Sequence, residues 1–186
     1  AAMVPVLAVP VVFLAWRWKL LLAENGFDVT YRRIFAVTYA GYFFNLFLPG
    51  GAGGDIAKAV IATKGESRKA GLVGTILLDR LIGLGTMIVI ASASALPFLG
   101  HEKLRPVVVT VLALLAAAVA GYVIYFNGPL RRSRLGQAVK ARLPFKGVLE
   151  ELDRVMATMR NARRVIAKGM ALSAVAQSTT ILAVFG

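Results

Sequence analysis

Apolar positions in this chain come in long blocks separated by short polar clusters, with no period-2 alternation. A block of about twenty apolar residues offers no face to water, and as a helix it reaches across a hydrocarbon core. Four blocks predict spans: 1–16, 72–99, 107–126 and 165–186. The first leads into Trp16-Arg17-Trp18-Lys19, where tryptophan beside basic residues is the chemistry of a membrane interface. Leu20–Arg33 then predicts a polar connection, turning at Glu24-Asn25-Gly26 and closed by Arg32-Arg33. Pro97 and Gly100 end the second span, and Gly100–Arg105 is a tight loop holding His101. The chain opens and stops inside apolar runs, so the expectation is a piece of a larger membrane protein with a span cut at each end. The first run lacks a charged leader, which argues against a signal peptide.

One apolar block breaks the rule. Ile34–Leu48 is aromatic (Tyr39, Tyr42, Phe43, Phe44, Phe47) but reaches only about 22 Å as a helix, against about 30 Å of hydrocarbon. A Gly/Pro-rich turn follows, and then a second short helical stretch, Ile56–Thr63, with Asp55 as its expected N-cap. Charge placement gives the topology. Four Lys/Arg lie in Arg17–Arg33, four in Lys58–Lys69 and eleven in Asn127–Lys168, against two in Gly100–Arg105. A complete crossing by Ile34–Leu48 would put the eleven-charge segment outside, which the positive-inside rule opposes. A hairpin over 34–63 that enters and returns on one side keeps all three basic segments cytoplasmic, with only the His101 loop outside. The expected fold class is therefore all-α: a polytopic integral membrane helical bundle with a re-entrant helical hairpin.

Composition agrees. Of the 186 residues 58% are apolar, and the mean hydropathy is +0.72, above the range of a soluble domain. A net charge of +13 would suit nucleic acid, but here the basic residues sit between apolar runs, which suits anionic lipid headgroups and no nucleic acid. There is no cysteine and a single histidine, so no metal-ligand cluster and no cofactor are expected. Within 127–168, Leu149, Leu152, Met156 and Met159 recur at helical spacing among Glu150, Glu151, Asp153 and Arg154, predicting a cytoplasmic basic amphipathic helix.

The candidate chemistry gathers at the hairpin tip. Gly50, Gly51, Gly53 and Gly54 beside Pro49 allow a sharp turn with consecutive N–H groups, next to a helix N-terminus that attracts anions. Lys58 stands one turn along as counter-charge, although Asp55 competes for the same N–H groups. No Gly-Lys-Ser/Thr ending is present, so this is not a P-loop. Asp79 and Arg80 lie about 10 Å into their span, where each charge costs about 2.5–3.5 kcal/mol and needs a partner. Adjacent helical residues point about 100° apart, so the partners lie elsewhere: Asp79 with Lys58, and Arg80 with Asp55 or a lipid phosphate, which a guanidinium grips at two points. Asn45 fits either an interhelical hydrogen bond or a headgroup contact. A purely structural reading stays open for each: glycines for close packing, Asp55 for capping, Asp79-Arg80 for an interfacial ion-pair network.

The run Asn45-Leu-Phe-Leu-Pro49-Gly-Gly-Ala-Gly-Gly54-Asp55, with Lys58 and then Leu78-Asp79-Arg80-Leu-Ile-Gly83, resembles the lysylphosphatidylglycerol synthase transmembrane region family. These are flippase-like proteins related to the membrane part of the multiple peptide resistance factor. The resemblance runs from the Trp16-Arg17 region to the basic segment. It implies a multi-pass protein of a bacterial or archaeal cytoplasmic membrane that moves a phospholipid or lipid-linked intermediate between leaflets. Its partners would be an anionic phospholipid or lipid-linked phosphate and, as a homo-oligomer, further copies of itself. Lys58 departs from the arginine common in the family, keeping the charge but losing the planar fork. Substrate-binding residues on this reading are Asn45, Pro49, Gly50, Gly51, Gly53, Gly54, Asp55, Lys58, Asp79 and Arg80, with none assigned to catalysis. Two alternatives remain: an integral-membrane transferase acting on a polyprenyl-phosphate or phospholipid, with Asp55 or Asp79 as base, and a non-catalytic lipid-binding subunit.

Overall fold

A computed structural model describes residues 3–47, 53–127, 154–158 and 162–185, and these are helical throughout apart from short connections. In chain order they form α1 (Met3–Glu24), α2 (Tyr31–Phe47), α3 (Gly53–Ala62), α4 (Lys69–Ala95) with a 3₁₀ turn at Leu96–Phe98, α5 (Arg105–Asn127) and α6 (Arg163–Phe185). Residues 1–83 with 147–186 form one compact unit, and 84–146 form another.

Lys69–Phe98 and Arg163–Leu182 are long and apolar enough to cross a membrane, with mean hydropathies of 1.9 and 1.3, and Arg105–Gly121 is a shorter apolar helix. Leu81, Leu84 and Met87 of α4 and Ile181 and Leu182 of α6 face outward. Exposed large aliphatics on consecutive turns suit a lipid environment and would be a liability in water.

The first helix corrects the expected boundary. Its predicted span stops at residue 16, yet α1 continues through Trp16–Lys19 to Glu24, because Trp18, Leu21 and Leu22 all bury completely. Trp18 and Leu22, one turn apart, join Phe27, Ile34, Val37, Ala62, Leu72 and Ile76 in one core. Leu21, on the adjoining face, packs with Leu78, Ile82, Val155 and Ala162 in a second core. Both lie in the first unit. The end of α1 is a Schellman cap: Phe27 N–H donates to the Leu22 carbonyl (2.9 Å) and Gly26 N–H to the Ala23 carbonyl (3.0 Å). Gly26 holds φ +74° there, a conformation costing about 1–2 kcal/mol with any Cβ. The turn read at Glu24-Asn25-Gly26 is this cap.

Helices α2 and α3 pack antiparallel: Asn45 meets Gly54, the Gly41 position abuts Lys58, and Arg33 donates to the Lys64 carbonyl. At 17 and 10 residues they extend about 25 Å and about 15 Å, each less than the hydrocarbon thickness. Residues 48–52, and with them Pro49, Gly50 and Gly51, lie outside the described residues, as do 128–153 and 159–161 of the amphipathic segment. Of that segment's apolar stripe, Met156 packs against the second core.

Candidate functional site

Charged residues from α1, α3 and α4 meet inside the first unit. Asp79 on α4 is 6% exposed. Its Oδ1 accepts from Arg17 Nε at 2.7 Å, and its Oδ2 stands 3.9 Å from Lys58 Nζ. Arg17 and Lys58 are themselves 5% and 7% exposed, so one carboxylate and two basic side chains share a buried site. Charges at that depth persist only when paired and hydrogen-bonded. Arg17 meets both conditions, since its Nη1 also donates to Ser173 Oγ on α6 at 2.8 Å.

The helix surfaces around Arg17 explain how it fits. A Cβ added at Gly83 of α4 would lie 3.3 Å from Arg17 Nη1, and one added at Gly169 of α6 would lie 3.6 Å from Arg17 Cγ. Gly169, Ser173 and Gln177 repeat at i, i+4 and i+8, which sets them on one face of α6. Gln177 Nε2 donates to the Gly83 carbonyl (3.1 Å) and to Ser173 Oγ (3.2 Å), continuing the polar seam.

Lys58 is held by shape and by an aromatic face. Its stem lies against Gly41, where a Cβ would come within 2.8 Å of Lys58 Cγ. Its ammonium sits 4.3 Å from the centroid of the Trp18 ring, within cation–π range. Trp18 Nε1 donates to Thr75 Oγ1 (3.2 Å), and Thr75 Oγ1 donates in turn to the Leu72 carbonyl (2.7 Å), which fixes the ring.

The second predicted pair is also present. Arg80 Nε donates to Asp55 Oδ2, with side chains 44% and 29% exposed, so this pair is open to its surroundings while Asp79 is closed. Adjacent on α4, Asp79 turns inward and Arg80 outward, as the helical angle requires. Asp55 lies in the first turn of α3, which begins at Gly53. The expected N-cap role is thereby corrected: the carboxylate faces Arg80 across the helices and complements the helix dipole.

The tip glycines also need correction. Gly53 and Gly54 are buried within α3, and Gly54 N–H donates to Asn45 Oδ1 at 2.6 Å. That N–H is therefore committed to a helix–helix bond and not offered to an anion. Asn45 makes the interhelical bond, one of its two expected roles. A Cβ on Gly54 would overlap the Gly41 carbonyl oxygen, so the seam needs small residues, as membrane helix contacts often do.

Sequence reasoning assembled Asn45, Gly53, Gly54, Asp55, Lys58, Asp79 and Arg80 but missed Arg17, Ser173 and Gln177. Arg17 carried one usable signal: a lone arginine between two tryptophans inside an apolar helix also fits a buried cation awaiting a carboxylate. Among the described residues no group of three or more His, Asp or Glu could hold a metal ion.

The sequence profile of one protein family, described as "Lysylphosphatidylglycerol synthase TM region", matches residues 1–185. No curated protein and no solved structure matches the chain.

Proposed function

We propose that this chain, which belongs to the lysylphosphatidylglycerol synthase transmembrane region family, binds a phosphate-bearing lipid headgroup at Lys58 and Arg80 and moves it between leaflets. Membership makes it an integral membrane protein with a lipid-related role; the translocation step is our own reading. One observation carries it: among the described residues the site brings together three cations, Arg17, Lys58 and Arg80, and two carboxylates, Asp55 and Asp79. Within this set of five the cations exceed the carboxylates by one, and an anion balances the set. A lipid phosphodiester brings one negative charge and leaves its acyl tails outside.

In this reading α2 and α3 form a re-entrant hairpin in a multi-pass protein of a bacterial or archaeal cytoplasmic membrane, with the basic segments cytoplasmic. The headgroup of an anionic phospholipid or lipid-linked phosphate enters by the open Asp55–Arg80 pair. Arg80 exchanges Asp55 for the phosphate, which a guanidinium grips at two points as it does a carboxylate. The tails stay beside the exposed rings of Tyr39, Phe43 and Phe47 on α2.

The test is a leaflet-asymmetry assay in proteoliposomes with a labelled anionic phospholipid. Loss of one charge-assisted contact removes about 1.5–3 kcal/mol, so Arg80→Ala should slow transfer by about tenfold or more. Asp55→Ala should also impair it, by leaving Arg80 without its resting partner. Full activity in both variants would overturn the reading.

A further inference from the structure

We infer that Arg17 is a positioning residue: by occupying Asp79 it keeps Lys58 available as the cation that takes the phosphate. The inference deepens the proposed function and rests on its assignment of Lys58. A carboxylate balances one cation, yet Asp79 faces two, and the geometry divides it unequally. Arg17 donates a 2.7 Å hydrogen bond, has a second anchor on Ser173, and lies where Gly83 and Gly169 leave it room. Lys58 stands 3.9 Å from the other carboxylate oxygen, beyond hydrogen-bond length, and its ammonium also lies over the Trp18 ring, 4.3 Å from the centroid. Asp79 is thus Arg17's counter-ion, and Lys58 is the surplus charge of the trio.

The consequence runs against intuition. Without Arg17, Asp79 would have Lys58 as its remaining partner in the trio. The amine needs to close by about 1 Å to form a full hydrogen-bonded ion pair. That pair is neutral and offers little to an anion. Removing a cation that need never touch the ligand therefore weakens ligand binding, and removing the carboxylate as well restores it. A merely structural ion pair would also be relieved by neutralising both partners, so the two roles part at Asp79→Asn alone: a structural pair then strands Arg17 and binding falls, whereas a positioning Arg17 leaves Lys58 available and binding holds.

The experiment uses the full chain in phosphatidylcholine nanodiscs, titrated with phosphatidylglycerol, in a Trp16→Phe background that leaves Trp18 as the sole indole of the two in the sequence. Lys58 leaving the Trp18 face for a phosphate changes indole emission, which reports binding independently of transport. Arg17→Met should weaken the response by about tenfold or more. Adding Asp79→Asn should bring it back to within about threefold of the parent, a coupling of the size that touching residues show. Asp79→Asn alone should bind at least as well as the parent, and this arm decides the matter if Arg17→Met fails to fold. Parent-like binding by Arg17→Met, a double variant weaker than the single, or lost binding in Asp79→Asn each overturns the inference.

Two further arms separate it from the reading beneath it. If Lys58→Met abolishes the response while Arg17→Met leaves it intact, the role of Arg17 alone fails. If Lys58→Met leaves the response intact, or the parent gives none, the phosphate reading of Lys58 fails with it. Inorganic phosphate is titrated in parallel. A response to phosphate without one to the lipid assigns the site to a soluble anion and overturns lipid transport, whereas a stronger lipid response supports the headgroup assignment.

Discussion

Adding one methyl group at different glycines should have opposite effects, and the structure sets the size of each. A Cβ at Gly54 overlaps the Gly41 carbonyl oxygen and comes within 2.6 Å of Asn45 Nδ2. The first obstacle is backbone, so the methyl is accommodated only if α2 and α3 separate. Overpacking of this kind costs about 1–3 kcal/mol. Separation also lengthens the 2.6 Å bond from Gly54 N–H to Asn45 Oδ1, whose net value is about 1 kcal/mol. Against this, alanine gains about 0.5–1 kcal/mol of helix propensity. Gly54→Ala should thus destabilise by about 1–3 kcal/mol. At Gly85 on α4 a Cβ meets nothing within 4 Å, so Gly85→Ala keeps only the propensity gain and is neutral or stabilising by about 0.5–1 kcal/mol. Gly41→Ala should fall between, because its closest obstacle at 2.8 Å is the flexible Lys58 Cγ, with the Gly54 carbonyl at 3.0 Å. Equilibrium unfolding in mixed detergent micelles, followed by tryptophan emission, gives the ranking. Gly54→Ala and Gly85→Ala agreeing to within about 0.5 kcal/mol would refute the close α2–α3 seam and the site geometry that depends on it.

Other outcomes follow from separate features. Gly26→Ala forces a Cβ into φ +74° and should lower stability by about 1–2 kcal/mol, measurable in the same unfolding assay. Trp18→Phe keeps an apolar ring but loses the 3.2 Å bond to Thr75 and weakens the face under Lys58. A loss of about 1–2 kcal/mol is expected, and an unchanged midpoint would contradict it. Arg68 stacks 4.2 Å over Phe27 and donates to the Gly26 carbonyl at 2.8 Å; at this exposed site Arg68→Ala should cost no more than about 1–2 kcal/mol. Cysteines placed at Asp28 and Lys64 in the cysteine-free chain should label from the same side of the membrane. Labelling from opposite sides sinks the re-entrant hairpin.

Much of the fold was legible because apolar block length is a strong signal: the helices found at 69–95, 105–127 and 163–185 begin within three residues of the expected spans. The Arg80–Asp55 pair and the approach of Lys58 to Asp79 were legible as well, since the helical angle forbids Asp79 and Arg80 from neutralising each other. Arg17 was not. Beside Trp16 and Trp18 it has the composition of an interfacial anchor. What distinguishes a snorkelling arginine from a buried one is its partner, and one of its partners, Ser173, lies 156 residues away. Ser173 and Gln177 carry no charge and vanish in an apolar average. Four glycines beside a proline have the composition of a loop ending at an Asp55 cap, whereas the tight α2–α3 seam draws Gly53 and Gly54 into the helix.

The guanidinium of Arg17 also bears on how the molecule moves. One side chain of α1 is bonded to α4 through Asp79 and to α6 through Ser173, so parting any of these helices strands a charge where water cannot reach it. The α2–α3 limb is tethered to those helices at the site by the more exposed Asp55–Arg80 pair, a long-range amine attraction and a ring face. A motion that releases Asp55 from Arg80 and swings the limb would leave both Arg17 bonds intact and uncover the lysine.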